Sequence, residues 1–261
     1  MLLAIDVGNT NVTLGLFNGA QLAGSWRLQT LSTRTRDEYA TLVRHLLLDS
    51  GFPPSSVDAI IMASVVPALT TVLSSTCATL FGIDAIQVDA SLTTGVAIHY
   101  EPPSDVGADR IVNAVAAHHR YPGPCVVVDF GTATTFDCID EAGAYLGGII
   151  APGLDLAVAA LVHRAAKLPK VDIARPPRAI GQTTVQSIQS GAFFGYAALV
   201  DGLVDRIRSE MDAPAARVLA TGGLAATIAT ASRTIQEVVD DLTLDGLRLL
   251  FEMNNDRRSG S

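Results

Sequence analysis

The chain has 261 residues, enough for two domains of ordinary size, and 49% hydrophobic against 17% charged residues describe a compact globular protein, not a disordered one. Lys plus Arg number 18 against 26 Asp plus Glu, a net charge of −8, which argues against a nucleic-acid or anionic-membrane partner because phosphates attract basic surfaces. Cys77, Cys125 and Cys138 lack CxxC spacing and read as buried free thiols of a reducing compartment. With an N-terminus that is neither signal peptide nor membrane span, the expected location is cytoplasmic.

Residues 2–7 are an apolar run that ends in Asp6-Val7-Gly8-Asn9-Thr10. Residues 12–17 follow, then a turn at Asn18-Gly19 and a third run near 25–30, which together predict an antiparallel three-stranded meander. Residues 37–49 have helical spacing, with Tyr39, Leu42, Val43, Leu46 and Leu47 on one face. A buried strand over 57–64, a helix over 67–81 opened by Pro67, and a short strand over 85–88 complete the first half. Gly107 then leads into a helical period, which puts Asp109 and Arg110 at a helix N-terminus.

Residues 126–128 are again an apolar strand, ending in Asp129-Phe130-Gly131-Thr132. A second strand over 134–140, a turn at Glu141-Ala142-Gly143 and a third strand over 145–151 repeat the first meander 123 residues later. Helices over 154–168 and 184–211, a strand over 217–221 followed by Gly222-Gly223 and a helix, and an amphipathic helix over 243–254 follow, with a surface loop at 174–178. The repeat predicts a duplicated α/β fold with two mixed sheets flanking a cleft. The expected domains are 1–114 and 115–254, with a disordered tail over 255–261.

Glycine in each Asp-x-Gly turn lets backbone N–H groups approach a ligand, and successive N–H groups in a tight turn make an anion-binding concavity. Asn9, Thr10 and Asn11, and Thr132, Thr134 and Thr135, add short donors beside the two turns. Asp6 and Asp129 cannot bind phosphate directly at neutral pH, but they suit cations that neutralise polyphosphate. The only lysines are Lys167 and Lys170, outside any Gly-rich loop, so a P-loop is excluded and phosphoryl transfer must rest on cations, backbone donors and arginine. A carboxylate at the N-terminus of a helix is held ionised by the dipole, so Asp109 is a candidate proton acceptor for a substrate hydroxyl, with Arg110 beside it to hold a substrate oxygen.

The chain resembles the type III pantothenate kinases of the acetate and sugar kinase, Hsp70 and actin superfamily over nearly its whole length. The resemblance rests on Asp6-Val-Gly-Asn-Thr10, Gly107-Ala-Asp-Arg110, Asp129-Phe-Gly-Thr132 and Gly147-Gly-Ile-Ile-Ala-Pro-Gly153. It implies duplicated actin-like (ribonuclease H-like) domains around a nucleotide cleft and ATP-dependent phosphorylation of pantothenate to 4'-phosphopantothenate, the first step of coenzyme A biosynthesis. The loop Asp6, Val7, Gly8, Asn9, Thr10, Asn11, Val12 and Thr13 would bind ATP phosphates and their Mg2+, with Asp6 toward the metal. Asp109 would be the catalytic base, and Tyr100, Gly107, Ala108, Asp109 and Arg110 would line the pantothenate site. Asp129 would hold a monovalent cation, K+ or NH4+; Thr132 would contact ATP, and Gly222, in Thr221-Gly222-Gly223, would lie in the adenosine region. Thr184 would reach pantothenate across a homodimer interface, made plausible by the small-residue helix around Gly191 and Gly195. The rival readings are a kinase of another small alcohol and a non-catalytic nucleotide-binding regulator, which intact Asp6, Asp109 and Asp129 disfavour. His118-His119 reads as part of a surface helix and not as a metal pair, Asn11-Val12-Thr13 as phosphate loop and not as a glycosylation site, and Trp26 as packing on the first sheet.

Overall fold

A computed structural model describes residues 1–89, 92–165 and 167–258. The chain divides into two compact units: Met1–Gly95, Glu101–Ala116 and Thr243–Ser261 form the first, and Val96–Tyr100 with Ala117–Leu242 form the second.

In the first unit, β1 (Leu2–Val7), β2 (Asn11–Asn18) and β3 (Gln21–Gln29) make the expected meander. Helix α1 (Arg36–Asp49) starts at a capping box in which the Thr35 hydroxyl accepts from Glu38 N and the Glu38 carboxylate accepts from Thr35 N at 2.7 Å. It buries Tyr39, Val43 and Leu47, one stripe of the predicted face. Strand β4 (Ala59–Ser64) leads to α2 (Pro67–Phe81), which opens on Pro67 and stops at Gly82 in the left-handed region, and β5 (Ile86–Gln87) follows. The sheet order is β3-β2-β1-β4-β5, with β1–β2 and β2–β3 antiparallel and β1–β4 and β4–β5 parallel. Helix α3 (Ala108–Arg120) gives its residues through Ala116 to this unit.

In the second unit, β6 (Cys125–Phe130), β7 (Ala133–Ile139) and β8 (Tyr145–Pro152) repeat the meander. Helices α4 (Leu154–Arg164) and α5 (Thr184–Glu210), strand β9 (Arg217–Gly222), α6 (Ala225–Ala229) and β10 (Glu237–Val238) follow. Read from its meander end, the order β8-β7-β6-β9-β10 reproduces the first sheet strand for strand, antiparallel and parallel pairs included. These are duplicated α/β units with mixed sheets, as the sequence repeat requires.

Alternation along the central strands sorts core from chemistry. Leu3, Ile5 and Val7 of β1 enter one apolar cluster with Tyr39, Val43, Leu47, Leu69 and Leu73. Val126, Val128 and Phe130 of β6 enter the other, with Phe136, Phe193, Val200 and Val204. Asp6 and Asp129 fall between those positions and point to the opposite faces, so each carboxylate escapes its own core.

Four boundaries differ from expectation. Helix α4 stops at Arg164 and not at 168: Ala165 is already extended, and Pro169 disfavours helix at Leu168, the residue before it. The last helix, α7 (Leu242–Arg258), belongs with the first unit from Thr243 on and not with the C-terminal domain. Gly15 leaves room for Leu244, Gly246 for Val112, and Asn254 exchanges hydrogen bonds with Thr93 N and O. The expected tail at 255–261 is helical as far as Arg258, and 259–261 lie outside the described residues. Finally, Val96–Tyr100, upstream of the second meander, joins the second unit through the Ile98–Tyr145 bridge.

Candidate active site

Each Asp-x-Gly strand ends in a clamped hairpin. In the first, Gly8 N donates to Asn11 O at 2.9 Å and Thr30 N to Thr10 O at 2.9 Å, while the Thr30 hydroxyl donates to Gly8 O at 2.7 Å. In the second, Gly131 N donates to Ala133 O at 3.0 Å and Gly153 N to Thr132 O at 3.1 Å. The third strand of each meander therefore ties down the turn, leaving Asn9, Thr10 and Asn11, and Gly131 and Thr132, exposed. Val7 and Val12 are buried partners across the β1–β2 ladder, so of the eight expected loop residues these two can reach a ligand only through backbone groups. Thr134, in contrast to the exposed Thr132, is buried and is not a surface donor.

The Asp109 turn stands close to the first hairpin within the same unit. Val65 N donates to Val7 O at 3.0 Å at the carboxyl ends of β1 and β4, and Gly107 packs against Val65. A Cβ added at Gly107 would lie 2.6 Å from Asp109 Oδ1 and 3.7 Å from Val65 Cγ1, so glycine is what lets the carboxylate fold back over the turn. Asp109 Oδ1 accepts from Arg110 N at 2.8 Å. Asn113, one turn on and 1% exposed, accepts from the Thr243 hydroxyl at 2.8 Å, which locks α3 to α7. Ligands of α/β sheets sit beyond the carboxyl ends of parallel strands, and that is where this turn and the first hairpin lie.

The electrostatics differ from the sequence expectation. Burial pushes the Asp109 carboxyl above its ordinary value, and the Arg110 N–H and guanidinium pull it back only in part. Arg110 itself is 8% exposed, so it is no surface ion-pair residue.

In the second unit, Gly222 ends β9 at φ +91, opposite Phe130. A Cβ there would lie 2.6 Å from both Asp129 Oδ1 and Phe130 O, a cradle of carboxylate and carbonyl oxygens that only glycine leaves open. Hard oxygen donors of this kind fit an alkali or alkaline-earth cation. Among the described residues no group of three or more His, Cys, Asp or Glu could hold a metal ion. Tyr100 and Thr184 also belong to this unit; Tyr100 is half-buried and Thr184 is exposed at the first position of α5. Gly191 and Gly195 are exposed on α5, with open space where a side chain would stand. Sequence reasoning passed over Asp137 and Tyr145, although an acid inside the apolar run Phe136-Asp137-Cys138 was a signal.

A sequence profile described as type III pantothenate kinase matches residues 2–206. The chain belongs to this family. A type III pantothenate kinase of Pelobacter propionicus is 52% identical over 255 residues, covering 97% of this chain and 100% of that protein. Among solved structures, a Baf family transcriptional activator from Campylobacter jejuni aligns with TM-score 0.61 at 20% identity, covering 97% of this chain and 99% of that one. A 2-dehydro-3-deoxygalactonokinase from Sinorhizobium meliloti aligns with TM-score 0.59 at 13% identity, covering 96% and 95%. Likenesses at such identity speak to the shared fold. The family membership makes the chain a kinase, and among the described residues no helix is long and apolar enough to cross a membrane.

Proposed function

We propose that this kinase transfers the γ-phosphoryl group of ATP to the primary hydroxyl of pantothenate. The observation that supports it most directly is Asp109, a carboxylate raised in basicity by burial at the head of α3, beside the hairpin at the end of β1. Asp109 accepts the hydroxyl proton as that oxygen attacks the γ-phosphorus, the bond to the β–γ bridging oxygen breaks, and ADP leaves. The exposed turn of the first hairpin, Asn9, Thr10 and Asn11, would cradle the nucleotide phosphates, and Asp6 would serve their Mg2+. Asp129 and the carbonyl of Phe130 hold a monovalent cation, K+ or NH4+, in the notch over Gly222. The two cations would supply charge neutralisation that a chain without loop lysines otherwise lacks. On this reading Gly107, Ala108 and Arg110 are the first unit's pantothenate contacts, and the second unit contributes Thr132 and Gly222 as nucleotide contacts and Tyr100 as a pantothenate contact.

The same reading makes the protein a homodimer. In the second unit Ile150 is 65% and Ile180 82% exposed, and Leu156, Leu161 and Val185 are exposed as well. Isolated apolar residues at a surface need no explanation, but this many on β8, α4, the loop before α5 and the head of α5 fit a face covered by a second copy, with the exposed Thr184 at the first position of α5. The test is ATP consumption by the purified protein with pantothenate present, with and without K+. Pantothenate-dependent turnover that needs K+ is the expected result; absence of turnover under both conditions would overturn the reading.

A further inference from the structure

The pantothenate-facing role of Tyr100 raises the question of what fixes its ring, since the residue ends a short segment and not a regular strand. Three features of the second unit answer it. First, Tyr145 pairs with that segment through its backbone: its N donates to Ala97 O at 2.8 Å and its O accepts from His99 N at 2.8 Å. Second, the Tyr145 ring is wholly buried and lies 6.4 Å from the Tyr100 ring, centroid to centroid, with planes tilted by 49°. Third, Gly147 takes φ +118 two residues later, and a Cβ there would touch Tyr100 Cδ2 at 3.4 Å. The Tyr100 ring therefore lies over the bare backbone of Gly147, tilted against the ring of Tyr145.

Tyr145 is held in turn from below. Its hydroxyl donates to Asp137 Oδ1 at 3.1 Å, and Asp137, inside β7, is wholly buried. A carboxylate costs several kcal/mol to bury, and a strand that only needed packing would place an apolar residue there. Asp137 also occupies an informative register: it faces Val127 on β6 and lies two residues from Thr135, which faces Asp129. The seat under Tyr100 and the carboxylate over Gly222 thus share one face of one sheet.

We propose that Tyr145, anchored by Asp137, is a positioning residue that sets Tyr100 for pantothenate, with Gly147 as the floor of the seat. The inference rests on the reading of Tyr100 as a pantothenate contact. It makes β8 more than the third strand of a hairpin clamp: its start shapes the acceptor pocket, and its end, through Gly153, ties down the second phosphate loop.

The test is steady-state kinetics on Tyr145→Phe, which keeps the ring and removes the hydroxyl. The expected result is a KM for pantothenate raised about three- to tenfold, the range of one lost hydrogen bond, with KM for ATP and kcat within about twofold of wild type. Tyr100→Ala should raise the pantothenate KM at least as much, and Tyr145→Phe should add nothing in that background, because it acts through Tyr100. Asp137→Asn, a shape-preserving change with a weaker acceptor, should shift the same constant in the same direction by less and stands in should Tyr145→Phe not fold. If Tyr100→Ala raises the pantothenate KM but Tyr145→Phe and Asp137→Asn do not, the seat is refuted while the pocket stands. If Tyr100→Ala leaves that KM unchanged, the underlying reading of Tyr100 fails.

Discussion

Gly222→Ala puts the geometry of the second unit under direct test. At φ +91 an L-residue carries a backbone penalty of about 1–2 kcal/mol. The added Cβ would also stand 2.6 Å from Asp129 Oδ1 and from Phe130 O. The carboxylate can rotate away, but Phe130 O cannot, since Phe130 is paired to Thr134 on one side and to Gly222 on the other. The end of β9 must shift by several tenths of an ångström, which in a packed sheet costs about 1–3 kcal/mol. The sum is about 3 kcal/mol, and at roughly 2–4 °C per kcal/mol the thermal transition of the purified variant should fall by about 6–12 °C. Gly223→Ala is the control: Gly223 has no positive φ, and an added Cβ meets nothing within 4 Å, so its transition should move by no more than about 2 °C. Scanning calorimetry or dye-monitored melting of the two variants reads the difference. Equal transitions for Gly222→Ala and Gly223→Ala would show that the Asp129 notch is not built as described.

Asp109→Asn should lower kcat by about 100- to 10,000-fold, the usual worth of a positioned base, without lowering the thermal transition, because it removes a buried charge and keeps an acceptor for Arg110 N; near-wild-type kcat would refute the assignment. Since a base works deprotonated, kcat/KM for pantothenate should rise with pH through the Asp109 pKa, and that acid limb should lie above the ordinary aspartate value, as pH–rate profiles would reveal. Asp129→Ala should flatten the response of turnover to K+ while leaving binding at the first hairpin in place; an unchanged K+ titration would refute the cation role. Asp201 accepts from the hydroxyls of Ser232 and Thr234 and from the amides of Arg233 and Thr234, so Asp201→Ala should cost about 2–4 kcal/mol in urea unfolding. Those bonds outweigh burial and hold the Asp201 carboxyl below its ordinary value, so its stabilisation is present above the unfolded pKa and is lost as pH falls toward the folded one. The wild type should therefore lose stability between about pH 4 and the lower folded value more steeply than Asp201→Ala does.

Both meanders were legible because their signals are local. An apolar run, an Asp-x-Gly turn and a second glycine turn specify hairpins without reference to anything distant, and Gly8 and Gly131 form the backbone bonds expected of such turns. The start of α3 was legible for the same reason, as was the inward face of α1. What escaped depends on partners far along the chain. Strand β10 is two residues long and exists only because β9 offers an edge. Val96–Tyr100 has no strand pattern of its own and is organised by Tyr145, 45 residues later. The place of α7 is decided by Leu244 filling the gap over Gly15, a pairing that no periodicity within 242–258 could announce. Asp137 was passed over because its meaning lies in Tyr145 above it, not in its neighbours in sequence.

Asp109 shows why local reasoning can find the right residue through an incomplete argument. The dipole of α3 favours a charged carboxylate at its first turn, and that alone would make Asp109 a weak, permanently ionised acceptor. The fold-back over Gly107 takes the same carboxylate out of solvent, and the loss of hydration exceeds what Arg110 returns. A base works best when its pKa approaches the working pH, so the burial that opposes charge also makes the proton worth accepting. Arg110 keeps the balance from going too far: without its amide and guanidinium the carboxyl would rise further. Replacing Arg110 by Leu should therefore move the acid limb of the pH–rate profile upward, whereas an arginine that served only to bind substrate would change the pantothenate KM and leave that limb where it was.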